Sequence, residues 1–66
     1  MDIFLNGRPH TVDTGTALAQ LLETTGHAQR RIAVEVNREI VPRSAWSARV
    51  LGEGDRVEIV HAIGGG

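Results

Sequence analysis

The first dozen residues alternate in a way that predicts two short strands joined by a tight turn. In "DIFLNGRPHTV", Ile3 and Leu5 fall on one side of a strand, and Phe4 falls on the other. The dipeptide Asn6-Gly7 is a strong hairpin signal, because both central positions of a type I′ turn require a positive φ. We therefore expect the chain to open with an antiparallel hairpin.

The next segment, "DTGTALAQLLETTG", has the pattern of an amphipathic helix. We expect Thr14 or Thr16 to cap its first turn through a side-chain oxygen. Gly26 follows where a left-handed residue commonly ends a helix. The apolar face of this helix carries Leu18, Leu21 and Leu22.

The second half of the chain predicts three more strands. "RIAVEV" and "RVEIVHAI" alternate with the period of a strand, and "EIV" follows a predicted tight turn at Asn37-Arg38. The segment around Trp46 is too short for a regular helix, and we expect this tryptophan to point into the core because tryptophan is highly buried on average.

This order of elements predicts an α+β fold, with one helix across a mixed sheet of four or five strands. The first and last strands are the most apolar, so we expect them to pair at the centre of the sheet. The layout resembles the β-grasp, or ubiquitin-like, fold. We expect residues 1–63 to form this domain and residues 64–66 to form a flexible reactive tail. The predicted core comprises Ile3, Leu5, Leu18, Leu21, Leu22, Val34, Val36, Val57 and Ile59.

Length and composition limit the possible functions. A chain of 66 residues buries only about 60% of its unfolded surface, which leaves no room for a large active-site cleft. A formal net charge of −1 and an aromatic content of 3% argue against binding of nucleic acid. No apolar run reaches the roughly 20 residues that span a membrane, and the N-terminus does not read as a signal peptide, so we expect a cytoplasmic domain.

The reactive side chains are few. The chain has no cysteine, so it carries no thiol chemistry of its own, and its 3 histidines lack the spacing of metal ligands. All 7 basic residues are arginines. Codon bias explains the lack of lysine most simply; the functional interpretation is that the chain cannot be linked to itself through side-chain isopeptides.

Three segments together resemble one family. "IFLNG", "VNREIVPRSAW" and "GDRVEIVHAIGGG" span most of the chain, and their order and spacing resemble ThiS, the bacterial sulfur carriers of thiamine biosynthesis. The chain departs from the commonest tail by a third glycine, Gly64.

The resemblance implies a carrier and not a catalyst, with no catalytic residue, no bound cofactor and no metal. A ThiF-like adenylating enzyme would use ATP to activate the carboxylate of Gly66. Sulfur from a cysteine desulfurase or another donor would convert it to a thiocarboxylate, which a ThiG-like thiazole synthase would consume. Gly64 and Gly65 would thread into the partner.

The chemistry of the tail residues is consistent with this expectation. An α-carboxyl group has a pKa of about 3.3–3.7, so it is ionised near neutral pH. Three residues reach about 10 Å, and glycines pass through a narrow slot because they lack a Cβ. The alternative is that these glycines are a frayed chain end without a function.

A partner also needs a surface by which to orient the tail. We expect Phe4, Val60 and Ala62 to point outward on the two central strands and, together with Ile63, to form an apolar patch beside the tail.

Three alternatives remain open at this stage. A carrier of the molybdopterin type looks similar, although those relatives are longer and often have prolines before the terminal glycines. A ubiquitin-like modifier would end as an isopeptide on a target lysine. A simple binding module would make no use of the tail.

Overall fold

A computed structural model describes residues 1–28 and 31–61 of the chain. Within these residues one α-helix and one short 3₁₀ helix accompany five strands, as the α+β prediction required. The elements are β1 (Asp2–Leu5), β2 (Arg8–Thr11), α1 (Leu18–Thr24), β3 (Ile32–Val36), β4 (Glu39–Ile40), the 3₁₀ helix (Arg43–Ala45) and β5 (Arg56–His61).

The strands form one mixed sheet in the order β2-β1-β5-β3-β4. β1 and β5 are parallel neighbours, whereas β5 and β3, β1 and β2, and β3 and β4 are antiparallel. The prediction that the first and last strands pair inside the sheet is therefore confirmed. The central position belongs to β5, the strand that leads into the last residues of the chain.

Both predicted tight turns adopt the expected backbone. Asn6 and Gly7 have φ values of 51° and 81°, and Asn37 and Arg38 have values of 53° and 69°. Asparagine tolerates the left-handed region better than most residues because its side chain forms local hydrogen bonds. Each turn reverses the chain at one end of a strand that flanks β5.

The helix begins later than the sequence predicted. Its N-cap position is Ala17, and neither Thr14 nor Thr16 caps it, because the Thr16 hydroxyl donates to the Asp13 carbonyl at 2.6 Å. Tertiary contacts explain the shift: Ala17 forms an antiparallel bridge with Val50, which holds the chain extended up to that residue. The Gln20 side chain instead accepts a hydrogen bond from the Ala17 N–H at 2.8 Å.

The helix covers one face of the sheet, and the core lies between them. Eight of the nine predicted core residues are buried, whereas Leu5 is only partly buried against the cluster. Trp46 points inward as predicted, and its indole N–H donates to the Val41 carbonyl at 2.9 Å. The buried residues are Ile3, Leu18, Leu21, Leu22, Val34, Val36, Trp46, Leu51, Val57 and Ile59.

Candidate functional site

The predicted reactive tail begins three residues after His61, the last residue of the central strand. Gly64, Gly65 and Gly66 lie outside the described residues, and so do Ala62 and Ile63 of the predicted patch. The boundary predicted between domain and tail, at residues 63 and 64, falls there too. Within the described part of the chain, the functional site is therefore the end of β5 and the surface around it.

The side chains of β5 alternate as the sequence predicted. Val57 and Ile59 are buried, while Glu58 and Val60 point to the opposite face of the sheet, where Val60 is 55% exposed. We call this face, which lies opposite α1, the outer face. Val60 thus provides an exposed apolar surface one residue before the end of the strand.

The structure corrects the prediction that Phe4 lies beside Val60. Phe4 pairs with Arg56 at the start of β5, and the Arg56 guanidinium lies 5.2 Å from the centre of the Phe4 ring. Val60 is four residues further along β5, or about 13 Å at 3.3 Å per residue. The two are separated because β1 ends at Leu5 and turns away, so it pairs with only the first two residues of β5.

The neighbour of Val60 on the outer face is Ala33, from the other flanking strand. The same register places Glu58 opposite Glu35, so two carboxylates face each other on adjacent strands. Like charges in this arrangement destabilise a sheet. On the outer face, the second half of β5 therefore presents a small apolar area next to an acidic pair.

An open groove of about 430 Å³ lies at the end of β5. We call it the tail-root groove. It is lined by Arg31, Ile32, Ala33, Arg43, Val60 and His61.

The fold fixes the position of Arg43 in this groove. Its guanidinium carbon lies 4.4 Å from the centre of the Trp46 ring, and one of its nitrogens donates to the Ala28 carbonyl at 2.9 Å. Trp46 is itself buried in the core. The stacking therefore ties the orientation of an exposed cation to the packing of the interior.

The structure also brings two of the three histidines into contact. The rings of His27 and His61 have centroids 5.9 Å apart, because the segment after α1 returns alongside the end of β5. Strand and helix patterns give no signal for a contact of this kind between a loop and a strand. Across residues 1–28 and 31–61, no three histidine, cysteine, aspartate or glutamate residues cluster as metal ligands would.

A second cleft, of about 350 Å³, lies between β2 and α1, and its lining includes His10, Asp13 and Gln20. It sits beside the edge strand β2, two strands away from β5 in the sheet. It therefore has no direct connection to the end of β5. None of the helices in the described part of the chain is long and apolar enough to cross a membrane.

Comparison with known proteins identifies relatives along the whole chain. Residues 3–66 match the ThiS family. The chain is 30% identical to the sulfur carrier protein ThiS of Escherichia coli, and the alignment covers all of both proteins. A crystal structure of ThiS from Geobacter metallireducens is similar, with a TM-score of 0.87, 36% identity and full coverage of both chains. This likeness confirms the predicted β-grasp fold.

Two relatives are much longer than this chain. The chain is 48% identical to part of a thiazole synthase from Magnetococcus marinus and 38% identical to part of another from Paramagnetospirillum magneticum. It spans 20% of the length of each of these proteins.

Proposed function

Because this chain belongs to the ThiS family, we propose that it is a sulfur carrier protein of thiamine biosynthesis. The carrier is acted on by enzymes and performs no catalysis itself. The observation that carries this proposal is the family match over residues 3–66, which includes the three glycines. The alignment with E. coli ThiS over the whole of both proteins supports it.

The reactive group in this proposal is the α-carboxylate of Gly66. One of its oxygens attacks the α-phosphorus of ATP, pyrophosphate leaves, and a glycyl adenylate forms. A ThiF-like adenylating partner binds the ATP, and the carrier holds no cofactor. Near neutral pH the carboxylate is ionised, since its ordinary pKa is about 3.3–3.7.

Sulfur then replaces one oxygen of the carboxyl group. A persulfide of a donor such as a cysteine desulfurase attacks the glycyl carbonyl, and AMP leaves. A thiol then cleaves the resulting acyl disulfide, which leaves the thiocarboxylate on Gly66. The carrier has no cysteine, so in this scheme both sulfur atoms of the intermediate come from the donor.

The proposed acceptor of the sulfur is a thiazole synthase. Support comes from the two thiazole synthases that contain a segment similar to this chain. Val60, together with Ala62 and Ile63, remains our proposed contact patch for the partners. Phe4 is no longer part of it, because its neighbour on β5 is Arg56.

The test is to incubate the chain with the adenylating enzyme and the cysteine desulfurase of the same organism, ATP, cysteine and a thiol reductant. We expect a mass increase equal to the exchange of one oxygen for sulfur, and fragmentation should locate it on Gly66. The intact mass of the protein isolated from its source checks that Gly66 carries the free carboxyl group.

Two outcomes would contradict the proposal. A stable conjugate with a target lysine would instead indicate a protein modifier. Sulfur transfer to a molybdopterin synthase, with no transfer to a thiazole synthase, would place the carrier in the other pathway.

A further inference from the structure

Two asparagines in tight turns hold the central strand, one near each of its ends. The side-chain oxygen of Asn6 accepts a hydrogen bond from the Ile59 N–H at 2.7 Å, and that of Asn37 accepts one from the Arg56 N–H at 3.0 Å. Both asparagines have a left-handed backbone, with φ values of 51° and 53°. The two bonds are thus of the same kind, but only the Asn6 bond lies in the half of β5 that leads to the tail.

The Asn6 side chain takes the place of its own backbone carbonyl in the ladder between β1 and β5. The Asn6 N–H donates to the Val57 carbonyl at 2.8 Å, so a regular parallel ladder would continue with the Ile59 N–H donating to the Asn6 carbonyl. The chain instead turns at Asn6 and Gly7, and the side-chain oxygen accepts from Ile59.

The last residues of β5 have a neighbouring strand on one side only. β1 pairs with Arg56 and Val57, whereas β3 pairs with β5 as far as His61. Among the described residues, the Asn6 bond is the last hydrogen bond that β5 receives from the side of β1. Two-stranded ribbons twist more strongly than wider sheets. The direction in which β5 leaves the sheet therefore depends on Asn6.

We propose that Asn6 is a positioning residue for activation of the carrier: it sets the direction from which the Gly66 carboxylate reaches the ATP of the adenylating partner. This inference rests on the proposed function. Gly66 is seven residues beyond Ile59, so a small rotation of the strand at Ile59 is magnified at the carboxylate. A misplacement of about 1 Å at a reacting centre can reduce the rate 10²-fold.

The experiment measures ATP–pyrophosphate exchange by the adenylating enzyme of the same organism, as a function of carrier concentration. The variants are Asn6→Gly and its matched control Asn37→Gly, since glycine accepts the left-handed backbone at both sites. We expect Asn6→Gly to lower kcat about tenfold or more, with KM for the carrier changed less than about twofold.

The control variant Asn37→Gly should keep the kcat of the wild type. It loses two hydrogen bonds instead of one, because the side-chain amide of Asn37 also donates to a carboxylate oxygen of Asp55 at 3.0 Å. These bonds hold the start of β5, three residues before Ile59. Lost hydrogen bonding without displacement of the tail is therefore tested separately.

A merely structural role of Asn6 would give different kinetics. A partly unfolded carrier supplies less folded substrate, so the apparent KM rises while kcat at saturation is retained. Urea denaturation gives the folded fraction of each variant, and sucrose, which favours the compact state, is added where that fraction is low. Asn6→Asp keeps an acceptor oxygen and should restore kcat.

A second measurement follows the strand itself. NMR order parameters of the Val60 and His61 amides should fall in Asn6→Gly and stay unchanged in Asn37→Gly. The inference would be overturned by unchanged order parameters in Asn6→Gly, by a rise in KM alone, or by equal losses of kcat in the two glycine variants. In each case the wild-type carrier still supports exchange, so the proposed function stands. If the wild-type carrier supports no exchange, the proposed function fails, and the positioning role of Asn6 fails with it.

Discussion

The side-chain oxygen of Asn6 accepts a hydrogen bond from the backbone N–H of Ile59 at 2.7 Å, across 53 positions of the sequence. β1 has already ended at this level of the sheet, so no strand is present on that side to accept from Ile59. The turn residue thus replaces a missing strand partner. It fixes the second half of β5, which leads to the tail.

Replacing Asn6 by glycine should therefore destabilise the domain even though glycine suits the left-handed backbone, where Asn6 has a φ of 51°. The loss leaves a partly buried N–H unpaired, which costs about 1–3 kcal/mol. Asn6→Asp is the matched control, because it keeps an acceptor oxygen and tolerates the same φ. Urea denaturation gives the free energies of unfolding; equal stability of the glycine variant and the wild type would contradict this role of Asn6.

Leu21→Ala tests the packing of the helix on the sheet. Leu21 is 1% exposed and belongs to the core cluster, so its truncation should lower the free energy of unfolding by about 2–5 kcal/mol. A domain of this size holds only a few kcal/mol in total, so the variant should be largely unfolded at 37 °C. Glu23→Ala, on the exposed side of the same helix, should have a small effect. Circular dichroism during thermal unfolding measures both.

The sequence predicted the fold well where one local rule determined the structure. The Asn6-Gly7 turn, the alternation of β5 and the leucine face of α1 each follow from a short-range preference, and each is present in the structure. The apolar sides of these elements pack against one another, so the residues of the core could be predicted from them.

Prediction from the sequence was wrong or incomplete where contacts between distant segments determine the local structure. Ala17 takes the cap position from the threonines because it bridges to Val50, 33 residues away. Phe4 and Val60 are separated because the register places Phe4 beside Arg56. The placement of Arg43 on Trp46 depends on a 3₁₀ turn that no periodic pattern indicates.

Glu58→Gln should stabilise the isolated carrier. Glu58 and Glu35 face each other on adjacent strands, and a like-charge cross-strand pair costs roughly 0.2–1 kcal/mol. We expect a gain of that size in the free energy of unfolding at low ionic strength, and a smaller gain in salt at about 1 M, where the screening length is about 3 Å. Glu23→Gln on the exposed face of α1 provides the control. A gain that is independent of salt would show that repulsion is not its cause.

Val60→Asp should weaken activation of the carrier without unfolding it. Val60 is 55% exposed, so an aspartate there is hydrated and costs the fold little. In the tail-root groove, however, it would replace apolar surface with a charge, which weakens the packing of an apolar partner surface on the proposed contact patch. The matched control is Ile40→Asp, since Ile40 is 72% exposed on β4 and lies outside the groove. We expect KM for the carrier in ATP–pyrophosphate exchange to rise for the Val60 variant alone; equal KM values for the two variants would contradict a role of Val60 in docking.

The length of the tail should matter as much as its composition. Adding one glycine after Gly66 moves the carboxylate by about 3.3–3.6 Å, and a misplacement of about 1 Å at a reacting centre can reduce the rate 10²-fold. We therefore expect no thiocarboxylate on the extended chain and none after deletion of Gly65 and Gly66. Neither change should alter the free energy of unfolding, because in the described part of the chain no buried core residue lies beyond Ile59. Mass spectrometry after incubation with the adenylating enzyme, ATP and the sulfur donor measures the first effect, and urea denaturation measures the second. If the extended chain acquired sulfur as fast as the wild type, the carboxylate of Gly66 would not be the reacting group.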